Sequence, residues 1–326
     1  MHDWSEIFSR FRKLNILIIG DVMVDAYIWG AVDRISPEAP VPVIHVRNRD
    51  YRLGGAANVA LNVQSLGANP ILVCLAGDDD YGQRLMNLMG DKGLSREGVV
   101  VTRQRPTTIK ARVIAAHQHV VRIDDESDHV ATPREEQELL LRIEKLLPSC
   151  DAVIFEDYDK GVITSGLISK AVTMANERGI PTVVDPKKRN FLHYNNVTLF
   201  KPNLKELREG LKIDVDAREY QSVDQAVTAL KSKLKASGVM LTLSEFGIYI
   251  DYKDRKLRIP AHKREIADVS GAGDTVVSIA ALCVALQLPP DAIAALSNLG
   301  GGLVCQHVGV IPINRDELLE EAKVLN

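Results

Sequence analysis

The hydrophobic positions of this chain fall into short apolar runs, and each run ends in polar or charged residues. The first run, residues 14–19, is almost continuously apolar, which is typical of a strand buried on both faces of a parallel sheet. Segments with helical periodicity separate the runs, so the alternation predicts an α/β fold with a mostly parallel central sheet between two layers of helices. A hairpin-like pair at 239–243 and 247–252 predicts antiparallel strands added to this sheet. The other predicted strands are 69–75, 151–155, 181–184 and 197–200, and the predicted helices are 56–66, 81–92, 133–147, 165–178 and 222–236.

A second pattern appears at residues 25–47 and 107–124, which are strand-like but are not followed by a helix. We expect them to form a small β-sheet over the ligand crevice, a lid whose segments cover about 22–47 and 105–125. No internal repeat or long linker divides the sequence. A single domain over residues 1–326 that carries this lid is therefore expected.

Composition narrows the classes of function. The 326 residues include 40 basic and 43 acidic side chains, a net charge of −3, so no global field would recruit nucleic acid or an anionic membrane. The 4 cysteines show no metal-ligand spacing, which favours reduced thiols in a cytosolic protein. The apolar runs are too short to span a bilayer. We expect a cytoplasmic protein without nucleic-acid or membrane partners, in which local groups hold any anionic substrate.

The most informative segment is Asp268-Val-Ser-Gly-Ala-Gly-Asp274, which is followed at once by a long apolar run. Its glycines allow a tight turn with exposed amides, and the helix predicted to begin there would present free N–H groups to an anion. A carboxylate at Asp274 could take a proton from a hydroxyl while these amides hold a phosphoryl group. The alternative is a helix N-cap in a glycine turn, which is the commoner meaning of such a segment in isolation.

Two further segments place polar groups at predicted helix starts. Gly54 and Gly55 would let a ligand approach the backbone, and the Asn58 amide suits sugar hydroxyls; close helix–strand packing at a glycine turn explains the segment about equally well. Asn203 and Glu206 stand three positions apart and could order the water shell of Mg²⁺. Their alternative, a capping box, is the commoner meaning of that spacing.

Polar residues also gather at the carboxyl ends of the predicted strands, where open parallel sheets bind ligands. Each could be a cap or a solvated turn, but the shared edge favours substrate contact for some of them. Lys110 and Arg122, on the predicted lid strands, could bind a substrate phosphate or form a solvated strand face. The turn at 242–247 could touch nucleotide phosphates or be a plain hairpin. The residues at the carboxyl edge are Asp21, Asp25, Glu156, Asp157, Asp159, Lys160, Asp185, Lys187 and Lys188.

Three familiar catalytic motifs are absent from the sequence. No G-K-[ST] phosphate loop and no G-x-G-x-x-G dinucleotide fingerprint follow the first predicted strand, so a P-loop enzyme is excluded and a nicotinamide oxidoreductase is disfavoured. The sequence also lacks the G-x-S-x-G nucleophile elbow of serine hydrolases.

Taken together in this order, the segments at 54–58, 203–206 and 268–274 resemble the signatures of the ribokinase-like (PfkB) sugar kinases, over about residues 16–310. The resemblance implies a ribokinase-like three-layer α/β/α fold, a β-sheet lid and ATP-dependent phosphorylation of a sugar hydroxyl. The sequence has serine at Ser244 and Ser270, where the family often has glycine and threonine; both replacements are small and do not argue against activity.

The family's residue roles carry over to matching positions of this chain. Asp274 would be the general base, and Asp268 lies in a loop that often binds a monovalent cation such as K⁺. Asn203 and Glu206 would hold the hydration shell of Mg²⁺, and Asn298 would lie at the adenine side. The amides of the anion hole would be those of Gly271, Ala272 and Gly273. The contacts to ATP would be Thr242, Ser244, Glu245 and Gly247, and the sugar ligands would be Asp25, Gly54, Gly55 and Asn58.

A closer resemblance narrows the substrate. The segments at 20–25, 34–43, 156–162 and 185–187 are similar to those of the heptose 7-phosphate kinases of bacterial ADP-heptose and lipopolysaccharide-core synthesis. That group phosphorylates the anomeric hydroxyl of D-glycero-β-D-manno-heptose 7-phosphate to the 1,7-bisphosphate. It implies a homodimer through the lid strands and, because the sequence stops at residue 326, a stand-alone kinase without the fused nucleotidyltransferase of many relatives. The candidates for binding the 7-phosphate are Lys110, Arg122, Lys160 and Lys187.

Other functions stay open at this point. A PfkB kinase for another sugar, such as a ribokinase-type or fructose-phosphate kinase, has the same signatures. A non-catalytic sugar sensor on the same fold is disfavoured, because a sensor has no need of the base at Asp274.

Overall fold

The computed structural model describes residues 2–115 and 118–324, in which strands and helices alternate as the sequence predicts. In chain order, the strands are β1 (Asn15–Gly20), β2 (Val22–Ile35), β3 (Pro42–Gly55), β4 (Asn69–Gly77), β5 (Val99–Thr102), β6 (Ile109–Ala115), β7 (Gln118–Asp125), β8 (Ala152–Glu156), β9 (Thr182–Asp185), β10 (Leu199–Phe200), β11 (Gly238–Thr242), β12 (Ile248–Tyr252) and β13 (Arg255–Ile259). The helices are α1 (Trp4–Phe11), α2 (Ala56–Ser65), α3 (Asp80–Asp91), α4 (Pro133–Leu146), α5 (Ser165–Glu177), α6 (Leu204–Leu211), α7 (Tyr220–Leu234), α8 (Ala272–Ala285), α9 (Pro290–Val304) and α10 (Arg315–Val324).

The central sheet has the order β13-β12-β11-β10-β9-β8-β1-β4-β5. The strands from β5 to β11 pair in parallel, whereas β12 and β13 are antiparallel additions. Along β1, Ile16 and Ile18 enter one hydrophobic cluster while Leu17 and Ile19 enter the other. Helices α2, α8 and α9 supply the first cluster, and α4, α5 and α7 supply the second. Burial on both faces explains why β1 is continuously apolar, and the predicted α/β fold is confirmed.

The remaining four strands form a separate sheet in the order β3-β2-β6-β7. This sheet reaches beyond the segments 22–47 and 105–125 expected for it, because β3 continues to Gly55. Gly54 and Gly55 pair with Met23 and Val22 on β2, so the two glycines end a strand rather than form a free turn.

The sequence analysis did not predict β5 and β13, the two edge strands of the central sheet. β5 is apolar but only 4 residues long, and β13 reads Arg-Lys-Leu-Arg-Ile with its first two residues exposed, so the first is too short and the second too polar to match the pattern of the central strands. Among the described helices, none combines the length and the hydropathy needed to cross a membrane.

Candidate active site

The carboxylate of Asp274 is buried in the first turn of α8, with 5% of the residue exposed. The Asn58 amide donates a hydrogen bond to one carboxylate oxygen at 2.6 Å, and the Tyr158 hydroxyl donates to the other at 2.8 Å. The N-cap position of the helix belongs to Gly271, so Asp274 is not the capping residue. Two donors from distant parts of the chain therefore fix the orientation of this carboxylate.

The surroundings of Asp274 make its carboxylate a better proton acceptor. Burial raises its pKa to about 6, the hydrogen bonds from Asn58 and Tyr158 oppose this rise, and the charge of Asp185 adds to it. A general base works best when its pKa lies near the operating pH, because it is then mostly ionised and still basic. Asp274 fulfils that condition near neutral pH.

The glycine turn before α8 packs closely against the site. Gly271 has φ +81°, and a Cβ there would lie 3.3 Å from the Asn58 side-chain nitrogen. Among the described residues, the amides of Gly271 and Gly273 have no hydrogen-bond acceptor, whereas the Ala272 amide donates to the Val269 carbonyl at 3.3 Å. Two of the three expected amides are thus without an acceptor in the part of the chain that the structure describes.

The loop that carries Tyr158 is held in place by Asp21. The carboxylate of Asp21 accepts hydrogen bonds from the amides of Tyr158, Lys160 and Val162 at 2.8, 3.2 and 3.0 Å. Burial raises the pKa of Asp21, and these three amides oppose the rise by stabilising its charged form. Asp21 therefore fixes the loop that brings the Tyr158 hydroxyl to Asp274.

A buried ion pair lies directly beside the glycine turn. Lys201 and Asp185 are 2.9 Å apart and both buried, and a Cβ on Gly273 would lie 3.4 Å from Asp185. Neighbouring Glu156 has both carboxylate oxygens buried without a hydrogen-bond partner among the described residues. Burial raises the pKa of Glu156 well above its usual range, and the charges of Asp185 and Asp274 raise it further.

Asn203 and Glu206 form the capping box of α6. The Asn203 amide N–H donates to Glu206 at 2.9 Å, and the Glu206 amide N–H donates to the Asn203 side chain at 2.9 Å. The second Glu206 oxygen accepts a hydrogen bond from Lys187 at 2.8 Å. The structure thus contains the capping box that the sequence analysis gave as the alternative to a Mg²⁺ site. The carboxylate oxygens of Glu206 still have lone pairs that can accept hydrogen bonds from metal-bound water. Within residues 2–115 and 118–324, no three His, Cys, Asp or Glu side chains are grouped so as to hold a metal ion directly.

The residues expected at the nucleotide lie around the strands β11 and β13. Thr242, at the end of β11, forms a parallel bridge with Asn203. Beyond it, Ser244 and Glu245 lie in a short 3₁₀ turn, and a Cβ on Gly247 would collide with the Ile259 carbonyl. The amide of Asn298, on α9, donates to the Pro260 carbonyl at 2.8 Å, one residue after β13. This arrangement connects the predicted phosphate and adenine positions through β11 and β13.

The residues expected at the sugar meet at the base of the four-stranded sheet. A Cβ on Gly54 would lie 2.2 Å from an oxygen of the buried Asp25, and one on Gly55 would lie 2.4 Å from the Asp21 carbonyl. Arg112 donates to the other Asp25 oxygen at 2.5 Å. The side-chain oxygen of Asn58 is buried without a hydrogen-bond partner among the described residues. It is available to accept from a ligand hydroxyl.

The four basic residues expected at the substrate phosphate do not form one group. Lys110 and Lys160 both pair with Glu126. Lys187 lies elsewhere, on Glu206. Arg122 pairs with Asp124 at 3.0 Å and keeps 62% of its side chain exposed. Lys110 and Lys160 are thus brought together at Glu126, and Arg122 meets Lys110 at Asp124, whereas Lys187 lies apart from the other three.

Asp268 accepts hydrogen bonds from its own loop and from the segment that follows α9. One carboxylate oxygen accepts from the amide and hydroxyl of Ser270 at 2.9 and 2.8 Å, and the other accepts from the Gly309 amide at 2.9 Å. Burial would raise the pKa of Asp268, but these hydrogen bonds outweigh it and lower the pKa. The residue keeps its negative charge in the turn that leads to α8.

The sequence analysis gave no role to Tyr158, Lys201 or Glu126. The first two follow β8 and β10 at the carboxyl edge, so the strand-end rule that selected their neighbours could have found them. Glu126 stands in no motif, and its importance comes only from the lysines that the fold places beside it.

Comparison with known sequences places this chain among sugar kinases. The pfkB family carbohydrate kinase description matches residues 13–317. The chain is 40% identical over 310 residues to the Bifunctional protein HldE of Caulobacter vibrioides, with 94% of this chain and 63% of that protein covered. It is 38% identical over 314 residues to the protein of the same name from Gluconacetobacter diazotrophicus, covering 95% and 64%. The chain thus spans less than two thirds of the length of these two relatives.

Solved structures show the same fold. Phosphofructokinase-2 from Escherichia coli, crystallised in complex with potassium, superposes with a TM-score of 0.80 at 18% identity and covers 96% of this chain and 99% of that one. Ribokinase from Arabidopsis thaliana, complexed with ribose and ATP, gives a TM-score of 0.73 at 15% identity, with 94% and 99% covered. The ribokinase-like fold expected from the sequence is therefore confirmed.

Proposed function

The chain belongs to the pfkB family of carbohydrate kinases, and on that premise we propose that its acceptor is the anomeric hydroxyl of D-glycero-β-D-manno-heptose 7-phosphate. Family membership makes the protein an ATP-dependent sugar kinase. The choice of acceptor is supported by relatives named Bifunctional protein HldE at 35–40% identity and by the resemblance of segments 20–25, 34–43, 156–162 and 185–187 to heptose 7-phosphate kinases. The product would be the 1,7-bisphosphate, an intermediate of ADP-heptose synthesis for the lipopolysaccharide core.

The observation that carries the mechanism is the buried, doubly hydrogen-bonded carboxylate of Asp274. In the proposed reaction, the anomeric oxygen forms a bond to the γ-phosphorus of ATP as the bond from that phosphorus to the β–γ bridging oxygen breaks. The hydroxyl proton passes to Asp274, and the amides of Gly271 and Gly273 stabilise the charge on the transferring group. Asp25 and the Asn58 side-chain oxygen would orient the sugar by accepting from its hydroxyls.

Asn203 and Glu206 would hold Mg²⁺ through its water shell, where the ion would neutralise phosphate charge. The fit rests on the Glu206 carboxylate, which has spare lone pairs but is already bonded to Lys187 and to the Asn203 amide. Indirect contact through water leaves those bonds intact. A K⁺ ion near Asp268 belongs to the same proposal, and comparison of turnover in K⁺ and in a large organic cation tests it.

We infer that the protein acts as a homodimer through the four-stranded sheet. This sheet exposes apolar side chains at Val32, Val46, Val121 and Ile123, and contact with a second copy would remove them from water. Sedimentation equilibrium tests the inference, because a dimer has twice the 35.9 kDa of the chain. A single species at the monomer mass would contradict it.

A screen of ADP release across acceptors tests the proposed substrate. Heptose 7-phosphate is expected to give the highest kcat/KM, above heptose without phosphate, fructose 6-phosphate and ribose. Higher efficiency with fructose 6-phosphate or ribose would replace the proposed acceptor while keeping the kinase. Sugar binding by calorimetry without ADP release from any acceptor would favour a sensor.

The acidic limb of the pH profile should report Asp274, because only its ionised form can take the proton. We expect kcat/KM to fall about tenfold per pH unit below the pKa of about 6 and to level off above it. The Tyr158 hydrogen bond stabilises the ionised form and lowers that pKa. Tyr158→Phe is therefore expected to move the limb upward by about one pH unit. Tyr252→Phe, on β12 away from the cleft, is the control, and identical limbs in the wild type and Tyr158→Phe would contradict the assignment.

A further inference from the structure

Two lysines at the acceptor end of the cleft share one carboxylate, Glu126. The Lys160 ammonium lies 2.6 Å from one Glu126 oxygen, and the Lys110 ammonium lies 3.2 Å from the other. Both lysine side chains are mostly buried, and Lys110 is also 3.5 Å from Asp124. Hydrogen bonds from both lysines lower the pKa of Glu126 although burial would raise it, so the carboxylate is charged at neutral pH.

The cluster of Glu126, Lys110 and Lys160 is connected to residues expected at the acceptor rather than to those expected at ATP. Lys160 follows Tyr158 by two residues in the loop whose tyrosine binds Asp274. Lys110 is paired across the β2–β6 ladder with Asp25, the residue expected at the sugar. Lys160 is therefore linked to the proposed base through the loop that carries Tyr158, and Lys110 is linked to the sugar ligand through the β2–β6 ladder.

The backbone around Glu126 is fixed, so its side chain can leave the lysines without a change of fold. Glu126 is the first residue after β7. Arg105 donates to the carbonyls of both Ser127 and Lys160 and so ties the two segments together. The Ala131 amide adds a further bond to the Gly161 carbonyl at 2.8 Å. Rotation of the Glu126 side chain would leave each of these contacts in place.

We propose that Glu126 occupies the anion position that the phosphate of the acceptor takes, and that this phosphate displaces it from Lys110 and Lys160. A phosphate monoester carries nearly two negative charges at pH 7, whereas the carboxylate carries one. The phosphate dianion therefore binds the two lysines more strongly than the Glu126 carboxylate does and displaces it, whereas a neutral sugar hydroxyl cannot displace it. Glu126 in this way occupies the two lysines while no acceptor is bound and sets the affinity of the site for the acceptor's phosphate. The inference rests on the proposed function, because it requires that the acceptor be a sugar phosphate.

The test is Glu126→Gln, which keeps the size of the side chain and removes its charge. If Glu126 competes with phosphate, KM for heptose 7-phosphate should fall roughly three- to tenfold with kcat unchanged, and KM for unphosphorylated heptose should stay the same. The dissociation constant for inorganic phosphate, measured by calorimetry without ATP or sugar, should fall by a similar factor. Glu97→Gln is the matched control, because it breaks an exposed pair with Lys145 of 2.7 Å in the turn before β5.

The outcomes separate this inference from the proposed function. If Glu126 instead holds the lysines in place for the substrate, Glu126→Gln will raise KM for the sugar phosphate, and the inference is wrong. An unchanged affinity for inorganic phosphate would also overturn it, because the lysines would not then form the phosphate site. If the wild type phosphorylates no sugar phosphate, the proposed function fails, and tighter binding of inorganic phosphate by Glu126→Gln would still support competition at this site.

Discussion

Asp274→Asn is expected to lower kcat by at least about 10²–10⁴, the usual contribution of a positioned general base. Asparagine has nearly the same shape and can still accept from Tyr158, but it cannot take the hydroxyl proton. The change also removes a negative charge beside the transferring phosphoryl group. Because ATP is itself an anion, this loss does not weaken its binding, and affinity for ATP should be maintained. Steady-state kinetics and calorimetric titration with ATP measure the two quantities.

Loss of chemistry must be distinguished from loss of structure in this experiment. Asp251→Asn is the matched control, because Asp251, on β12, is also a buried aspartate but pairs with Lys231 on α7, at 2.6 Å. Its effect should fall on stability, with kcat of the folded protein near that of the wild type. Turnover by Asp274→Asn close to the wild-type value would remove Asp274 from the role of base.

Lys201→Met is expected to destabilise the protein by about 3–5 kcal/mol, because it leaves the buried Asp185 without its partner. Burial by itself would lower the pKa of Lys201, but the charges of Asp185 and Glu206 outweigh it and raise the pKa. The lysine is therefore charged, and neutral methionine cannot compensate the carboxylate. Urea denaturation measures the loss as a lower free energy of unfolding.

Two further variants make this prediction specific to the buried pair. Lys205→Met removes a lysine four positions away that is exposed and 3.9 Å from Glu209, and it should change stability by less than about 0.5 kcal/mol. Lys201→Met combined with Asp185→Leu should recover most of the lost stability, since an apolar pair can replace a buried ion pair at little cost. If Lys201→Met alone matches the wild type, the pair does not stabilise the site.

The fold was largely readable from the sequence because its strongest signals are local. The apolar run of β1 and the helical patterns beside it each reflect burial of neighbouring residues against the two faces of the sheet. Strand ends were harder to predict: β3 runs on to Gly55 because its partner β2 offers backbone groups, which the sequence does not display.

The candidate site was readable only where it is contiguous in sequence. The turn before α8 is a linear motif, but the contacts of Asp274 come from residues 216 and 116 positions away. The basic residues show the same limit. Their residue type and their positions on or after strands selected Lys110, Lys160 and Lys187 as one set of phosphate ligands. In the folded chain the first two pair with Glu126 and the third pairs with Glu206. Local sequence patterns identify the candidate residues, and long-range packing decides which partner each of them contacts.

The most direct measurement is phosphorus NMR of a reaction containing ATP, Mg²⁺ and heptose 7-phosphate. The account predicts ADP and a new phosphate signal coupled to the anomeric proton with the wild-type protein, and neither in the same time with Asp274→Asn. Inorganic phosphate in place of a sugar 1-phosphate, or equal product from the two proteins, would contradict it.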